Sequence, residues 1–127
     1  MSGLKACDYC YGVQQVTAEQ FGIDEAILAS LLADLSTAQI DDRMRLLLSY
    51  VGKLTRDPSK VSPADARAVL TAGWDERALH DAVSVCALFN FMNRFVNGLG
   101  ITPDDDYSNT SGTRLADHGY AGLKALM

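Results

Sequence analysis

The chain has no run of basic residues, and its 16 acidic side chains outnumber its 11 lysines and arginines, leaving a net charge of −5. That balance argues against a nucleic-acid partner, because phosphate recognition rests on clustered positive charge. No apolar stretch is long enough to span a bilayer, so no membrane partner is expected. The longest, residues 82–92, is short and contains Ser84 and Asn90. The first residues show no charged segment followed by an apolar run, so no secretory leader is expected. Three cysteines, an odd number, do not make a disulfide framework, and a reducing, cytoplasmic setting is the expectation. There are two histidines, His80 and His118, and no stretch with strand-like alternation, repeat or low complexity. What remains is 127 residues, 48% hydrophobic and 21% charged, the make-up of one globular domain spanning 1–127.

Helical periodicity runs through most of the chain and predicts an all-α bundle of about five to six helices. The first is expected over 4–21, with Ala6, Cys10, Val13, Thr17 and Phe21 on one stripe. Gly12 weakens that helix unless a neighbour approaches closely there, and Gly22 ends it. A second helix follows from the cap at Asp24 to about Asp34, and a third from about Asp41 to Arg56 with a seam of Met44, Leu47, Leu48, Val51 and Leu54. Ser62-Pro63 opens a short helix to about Ala72. Asp75 caps the longest, to about Asn97, which is apolar on nearly every side and so belongs at a bundle centre or in a subunit interface. Within it Cys86, Asn90, Asn93 and Asn97 form a polar row. The row suits either a buried hydrogen-bonded network that fixes register or amide groups lining a small pocket, together with Phe89. Residues 102–112, rich in Asp, Ser, Asn and Gly, read as a loop, and a last helix is expected over about 113–126.

The chemistry concentrates in Cys7-Asp8-Tyr9-Cys10, with Gln14 one turn further on. Cysteines at i and i+3 share a helix face. At a helix N-terminus the dipole and the free N–H groups favour a thiolate, the nucleophile of peroxide reduction and disulfide exchange. The same spacing also fits two cysteines that merely pack. A structural zinc site wants four ligands, and Cys86, His80 and His118 form no second paired motif; no metal or other cofactor is expected.

Three segments together resemble the carboxymuconolactone decarboxylase superfamily, in its alkylhydroperoxidase D-like, peroxidase-related branch. They are Cys7-Asp8-Tyr9-Cys10, then Lys53-Leu54-Thr55-Arg56-Asp57-Pro58, then Ala87-Leu88-Phe89-Asn90-Phe91-Met92-Asn93-Arg94 leading into Gly98-Leu99-Gly100. The resemblance implies an all-helical fold, assembly into homo-oligomers, and cysteine-based reduction of hydroperoxides by a dithiol protein or a lipoyl group. By carry-over, Cys10 is the peroxidatic thiol and Cys7 resolves its sulfenic acid.

The chain departs from the family where the proton relay should be. The motif there continues to a histidine, and Gln14 stands at that position. Asp8 and Tyr9 occupy the two places between the cysteines, where some members carry histidine. The family's upstream glutamate is expected to be missing, since the chain starts six residues before Cys7. Gln14 cannot take up a proton. His80, His118, Glu19 and Glu25 are each expected on the surface. The sequence thus supports a CxxC thiol peroxidase or disulfide reductase of altered efficiency. The alternative is a non-catalytic oligomeric protein, or slow redox sensor, that keeps the fold. The superfamily's decarboxylase chemistry is disfavoured, because no His or Arg constellation for a lactone acid is visible.

Overall fold

The computed structural model describes residues 1–121. It contains six α-helices and, among the described residues, no strand: α1 Asp8–Gln20, α2 Glu25–Ala33, α3 Asp42–Arg56, α4 Pro63–Thr71, α5 Glu76–Gly98 and α6 Asp105–His118. Short 3₁₀ turns at Gly3–Lys5 and Pro58–Lys60 precede α1 and α4. None of these helices is long and apolar enough to cross a membrane.

Local chemistry sets most of the boundaries. Asp24, Asp41, Asp75 and Asp104 each accept a hydrogen bond from the backbone N–H three residues on, at 2.7–2.9 Å, which satisfies an orphan donor of the first turn. At α4 the Asp65 carboxylate accepts from both the Ser62 N–H and the Ser62 hydroxyl. Arg45 turns back from α3 to donate to the carbonyls of Leu35, Ala38 and Ile40, stitching the α2–α3 connection.

Two expectations are corrected. The first helix starts at Asp8 rather than residue 4, because Ala6 sits in the left-handed region at φ 49° and breaks the path from the preceding 3₁₀ turn. Cys7 is therefore the N-cap of α1. Residues 105–112, expected as loop, are the first half of α6, which ends at His118 instead of about residue 126; the part of that expected helix beyond residue 121 lies outside the described residues. The small residues that read as loop are small because α6 lies directly on α1. A Cβ on Gly112 would come within 2.5 Å of Val16 Cβ and 2.9 Å of the Val13 carbonyl oxygen. Thr17 Oγ1 donates across the seam to the Gly112 carbonyl at 3.2 Å, and Gly12 faces Ser108.

The long helix α5 packs on α1, α3 and α4. Its inner face carries Cys86, Asn93 and Val96, all buried. Its other side, expected at a bundle centre or in a subunit interface, is open in the single chain: Val85, Leu88, Phe91, Met92 and Phe95 are exposed, and the Phe91 and Phe95 rings stack on each other at 5.8 Å.

Candidate functional site

The two sulfurs of Cys7 and Cys10 are joined as a disulfide, with Cα atoms 5.3 Å apart, inside the usual span for a bridge. Both sit at the positive end of α1. They are deeply covered, Cys7 at 0% and Cys10 at 7% exposure, and with Val96 of α5 they form a small apolar cluster against which Tyr9 packs.

The polar row on α5 divides between two tasks. Cys86 and Asn90 face α3: the Cys86 sulfur lies 3.3 Å from Thr55 Oγ1, and Asn90 Nδ2 donates to the Cys86 carbonyl at 2.9 Å and to Thr55 Oγ1 at 3.3 Å. Asn93 and Asn97 instead hold the cysteine-bearing segment. Ser2 Oγ donates to Asn93 Oδ1 at 3.1 Å, while the Ser2 carbonyl accepts the Cys7 N–H at 3.1 Å. Asn97 Nδ2 reaches the Lys5 and Ala6 carbonyls, just before Cys7, at 3.5 and 3.4 Å.

Gln14 borders an open pocket of about 480 Å³ between the N-terminal residues, α1, α2, α3 and α5, with Leu28, Leu31, Leu48, Val51 and Phe89 in its walls and Arg56 among its polar groups. That volume and lining fall in the range of small-molecule sites. Gln14 Nε2 also donates to the Tyr120 hydroxyl at 3.3 Å. Cys86 and Asn90 line a second, smaller cavity of about 250 Å³ with Arg94. Asn93 lines neither. Neither histidine approaches the cysteines: His80 is exposed beside Asp81 near the start of α5, and His118 is exposed at the end of α6. Glu19 is exposed and bonded to Gln15, and Glu25 is exposed at the start of α2. Among the described residues no cluster of three or more His, Cys, Asp or Glu side chains could hold a metal ion.

One group beside the cysteines was not visible in the sequence. The Tyr9 ring stacks on Tyr107 of α6 with centroids 5.4 Å apart. Burial, and then the adjacent Tyr107 hydroxyl, push the Tyr9 hydroxyl up to about 12, so it stays protonated. Tyr107 moves the opposite way, held below the ordinary tyrosine value by Tyr9, then by Ser111 and Arg114. The signal that could have located Tyr107 was the run Asp104-Asp105-Asp106, a cap followed by first-turn acids, which reads as a helix start as well as a loop.

A scan against protein-family models gives no match, and a search of curated proteins finds no relative. Among solved structures, an uncharacterized peroxidase-related protein from Silicibacter sp. TM1040 is similar, with a TM-score of 0.76 over 84% of this chain at 25% sequence identity. The chain spans 56% of that protein's length. The fold is thus one it shares with a peroxidase-related protein.

Proposed function

We propose that the chain is a thiol-dependent peroxidase or disulfide reductase of the alkylhydroperoxidase D-like branch of the carboxymuconolactone decarboxylase superfamily, acting in the cytoplasm. The observation that carries this reading is the joined Cys7–Cys10 pair at the positive end of α1, one helical turn from a cavity bordered by Gln14. The similarity to a peroxidase-related protein supports it. In the reduced protein the Cys10 thiolate attacks the terminal oxygen of a hydroperoxide and the O–O bond breaks. An alkoxide leaves and takes up a proton, which Tyr9, packed on the cysteines and protonated at neutral pH, can supply. The resulting Cys10 sulfenic acid is attacked by the Cys7 thiolate, which has given its proton to solvent. Hydroxide leaves, takes up a proton as water, and the disulfide forms. A dithiol protein or lipoyl group returns the two electrons. Cumene hydroperoxide consumption driven by dithiothreitol tests the scheme. Cys10→Ser abolishes turnover if Cys10 is the nucleophile; equal activity in that variant removes the reading.

A second reading is favoured by the depth of the sulfurs and by the amide at position 14, which moves no proton: a non-catalytic protein, or slow redox sensor, that keeps the fold. It predicts thiols with pKa values near or above about 8.5. Fast alkylation by iodoacetamide well below neutral pH would count against it. Under either reading the open apolar side of α5 is covered by further copies of the chain in a closed symmetric assembly, since leaving each such side chain in water forgoes about 1.5–3 kcal/mol. Light scattering should give a multiple of 13.7 kDa, and a mass of 13.7 kDa at micromolar concentration would refute the assembly.

A further inference from the structure

Asn93 is fully buried, and although its Oδ1 accepts from Ser2 its Nδ2 has no acceptor among the described residues. A buried amide donor left unsatisfied costs about 1–3 kcal/mol, and native proteins rarely keep one without a use. Its surroundings point to that use. Ser2 bonds Asn93 through its hydroxyl and Cys7 through its carbonyl, and Val96, one turn along the same face of α5, packs on both cysteines. Asn97, on the next turn, holds the carbonyls of the two residues before Cys7. The amide is thus fixed against the segment that carries the disulfide. A disulfide sulfur is a weak acceptor, whereas a thiolate is a strong one.

We propose that Asn93 Nδ2 is the hydrogen-bond donor to the Cys7 sulfur in the reduced protein, so that its partner appears only when the disulfide opens. The inference rests on the redox reading given above for the same pair. The step balances with a dithiol as the reductant. One thiolate of the dithiol attacks Cys10, the less covered sulfur, and the Cys7–Cys10 bond breaks. Cys7 leaves with the electron pair as a thiolate. The second thiol of the reductant then displaces Cys10, and the reductant departs as a disulfide with both electrons left on the protein. Asn93 stabilises the Cys7 thiolate at the moment of cleavage. Lys5 and Asp8 flank Cys7 in the chain, Tyr9 lies between the cysteines, and Tyr107, Arg114 and Asp104 are the ionisable groups beside Tyr9.

The test is a titration of thiolate absorbance, together with the midpoint potential of the pair in a dithiol redox buffer. Asn93→Leu should raise the Cys7 thiol pKa, read in a Cys10→Ser background, by about one unit, a tenfold loss of thiolate. It should lower the potential by about 30 mV, the same tenfold for a two-electron couple. Ser2→Ala, which removes the other bond to Asn93 and leaves Nδ2 in place, should change neither. If Asn93→Leu matches the parent in both readouts, or Ser2→Ala shifts them equally, the inference is overturned. Should the leucine variant not fold, the ¹H–¹⁵N resonances of the parent protein decide. The Asn93 side-chain amide should shift downfield on reduction while those of Asn90 and Asn97 stay, and an unmoved Asn93 signal refutes the bond. Neither readout needs peroxide, so loss of the peroxidase reading would leave the outcome intact.

Discussion

Replacing Gly112 by alanine sets two opposed effects against each other at one atom. In an isolated helix the change is favourable by about 1 kcal/mol, because glycine carries the larger backbone entropy. Here the added Cβ would lie 2.5 Å from Val16 Cβ and 2.6 Å from its Cγ1, with the Val13 carbonyl oxygen at 2.9 Å. Rotating Val16 removes only the Cγ1 contact, since Cβ and the carbonyl are fixed by the α1 backbone. The helices must separate, which also lengthens the Thr17–Gly112 bond and draws Tyr107 from Tyr9. Overpacking costs about 1–3 kcal/mol, and backbone-fixed contacts of 2.5 and 2.9 Å put this site in the upper part of that range, about 2–3 kcal/mol. Less the propensity gain, Gly112→Ala should lose about 1–2 kcal/mol, or roughly 4–7 °C in Tm for a chain of this size. Urea denaturation with unchanged m-value measures it. Gly98→Ala is the control: no atom of the described residues lies within 4 Å of its Cβ position, so it should gain a few tenths to about 1 kcal/mol. If Gly112→Ala were as stable as its parent, the close α1–α6 seam would be refuted.

Ala6→Gly should raise the urea midpoint, worth about 0.5–1 kcal/mol, because glycine relieves the left-handed strain at φ 49°; a lower midpoint would count against that backbone path. Ellman's reagent should find no reactive thiol in the native oxidised protein and one, Cys86, after unfolding; three thiols in the unfolded sample would mean that Cys7 and Cys10 are not joined. The bond to Lys53, then those to Ser62, hold the Asp65 carboxyl down to about 2, against an ordinary value of 3.8. A depressed folded-state pKa contributes stability that is complete above the ordinary value and fades as pH falls through the folded one. The stability gap between the parent and Asp65→Asn should therefore be constant above pH 4 and shrink between about pH 4 and 2. A gap that widened on acidification would reverse the assignment.

The elements that the sequence made legible are those whose signals are local. Asp24, Asp41 and Asp75 announce their helices because a carboxylate caps the first turn whatever lies nearby. The cysteine pair was legible for the same reason, its spacing being a property of four residues. The start of α1 was not, since nothing in Leu4-Lys5-Ala6 marks a left-handed alanine; its position is secured from α5 by Asn97, over ninety residues away. The first half of α6 was read as loop because Ser108, Ser111 and Gly112 are poor helix formers alone, and the smallness of Gly112 acquires its meaning only against Val13 and Val16. The polar row was visible as a row, but not its division between Thr55 on one side and Ser2 and the Cys7 segment on the other. The open side of α5 could not be told from a buried one, because apolarity shows what a surface avoids and not what covers it.

The seam between α1 and α6 joins residues some 95 positions apart, as the Thr17–Gly112 bond shows. During synthesis, at about 5–20 residues per second, the cysteine helix waits roughly 5–20 s for the helix that covers it. Local helices form in microseconds or less, so the rest of the bundle can assemble in that interval. The face of α1 that meets α6 is thus the last to be enclosed. For those seconds Tyr9, beside the two cysteines, stays uncovered until Tyr107 arrives with α6.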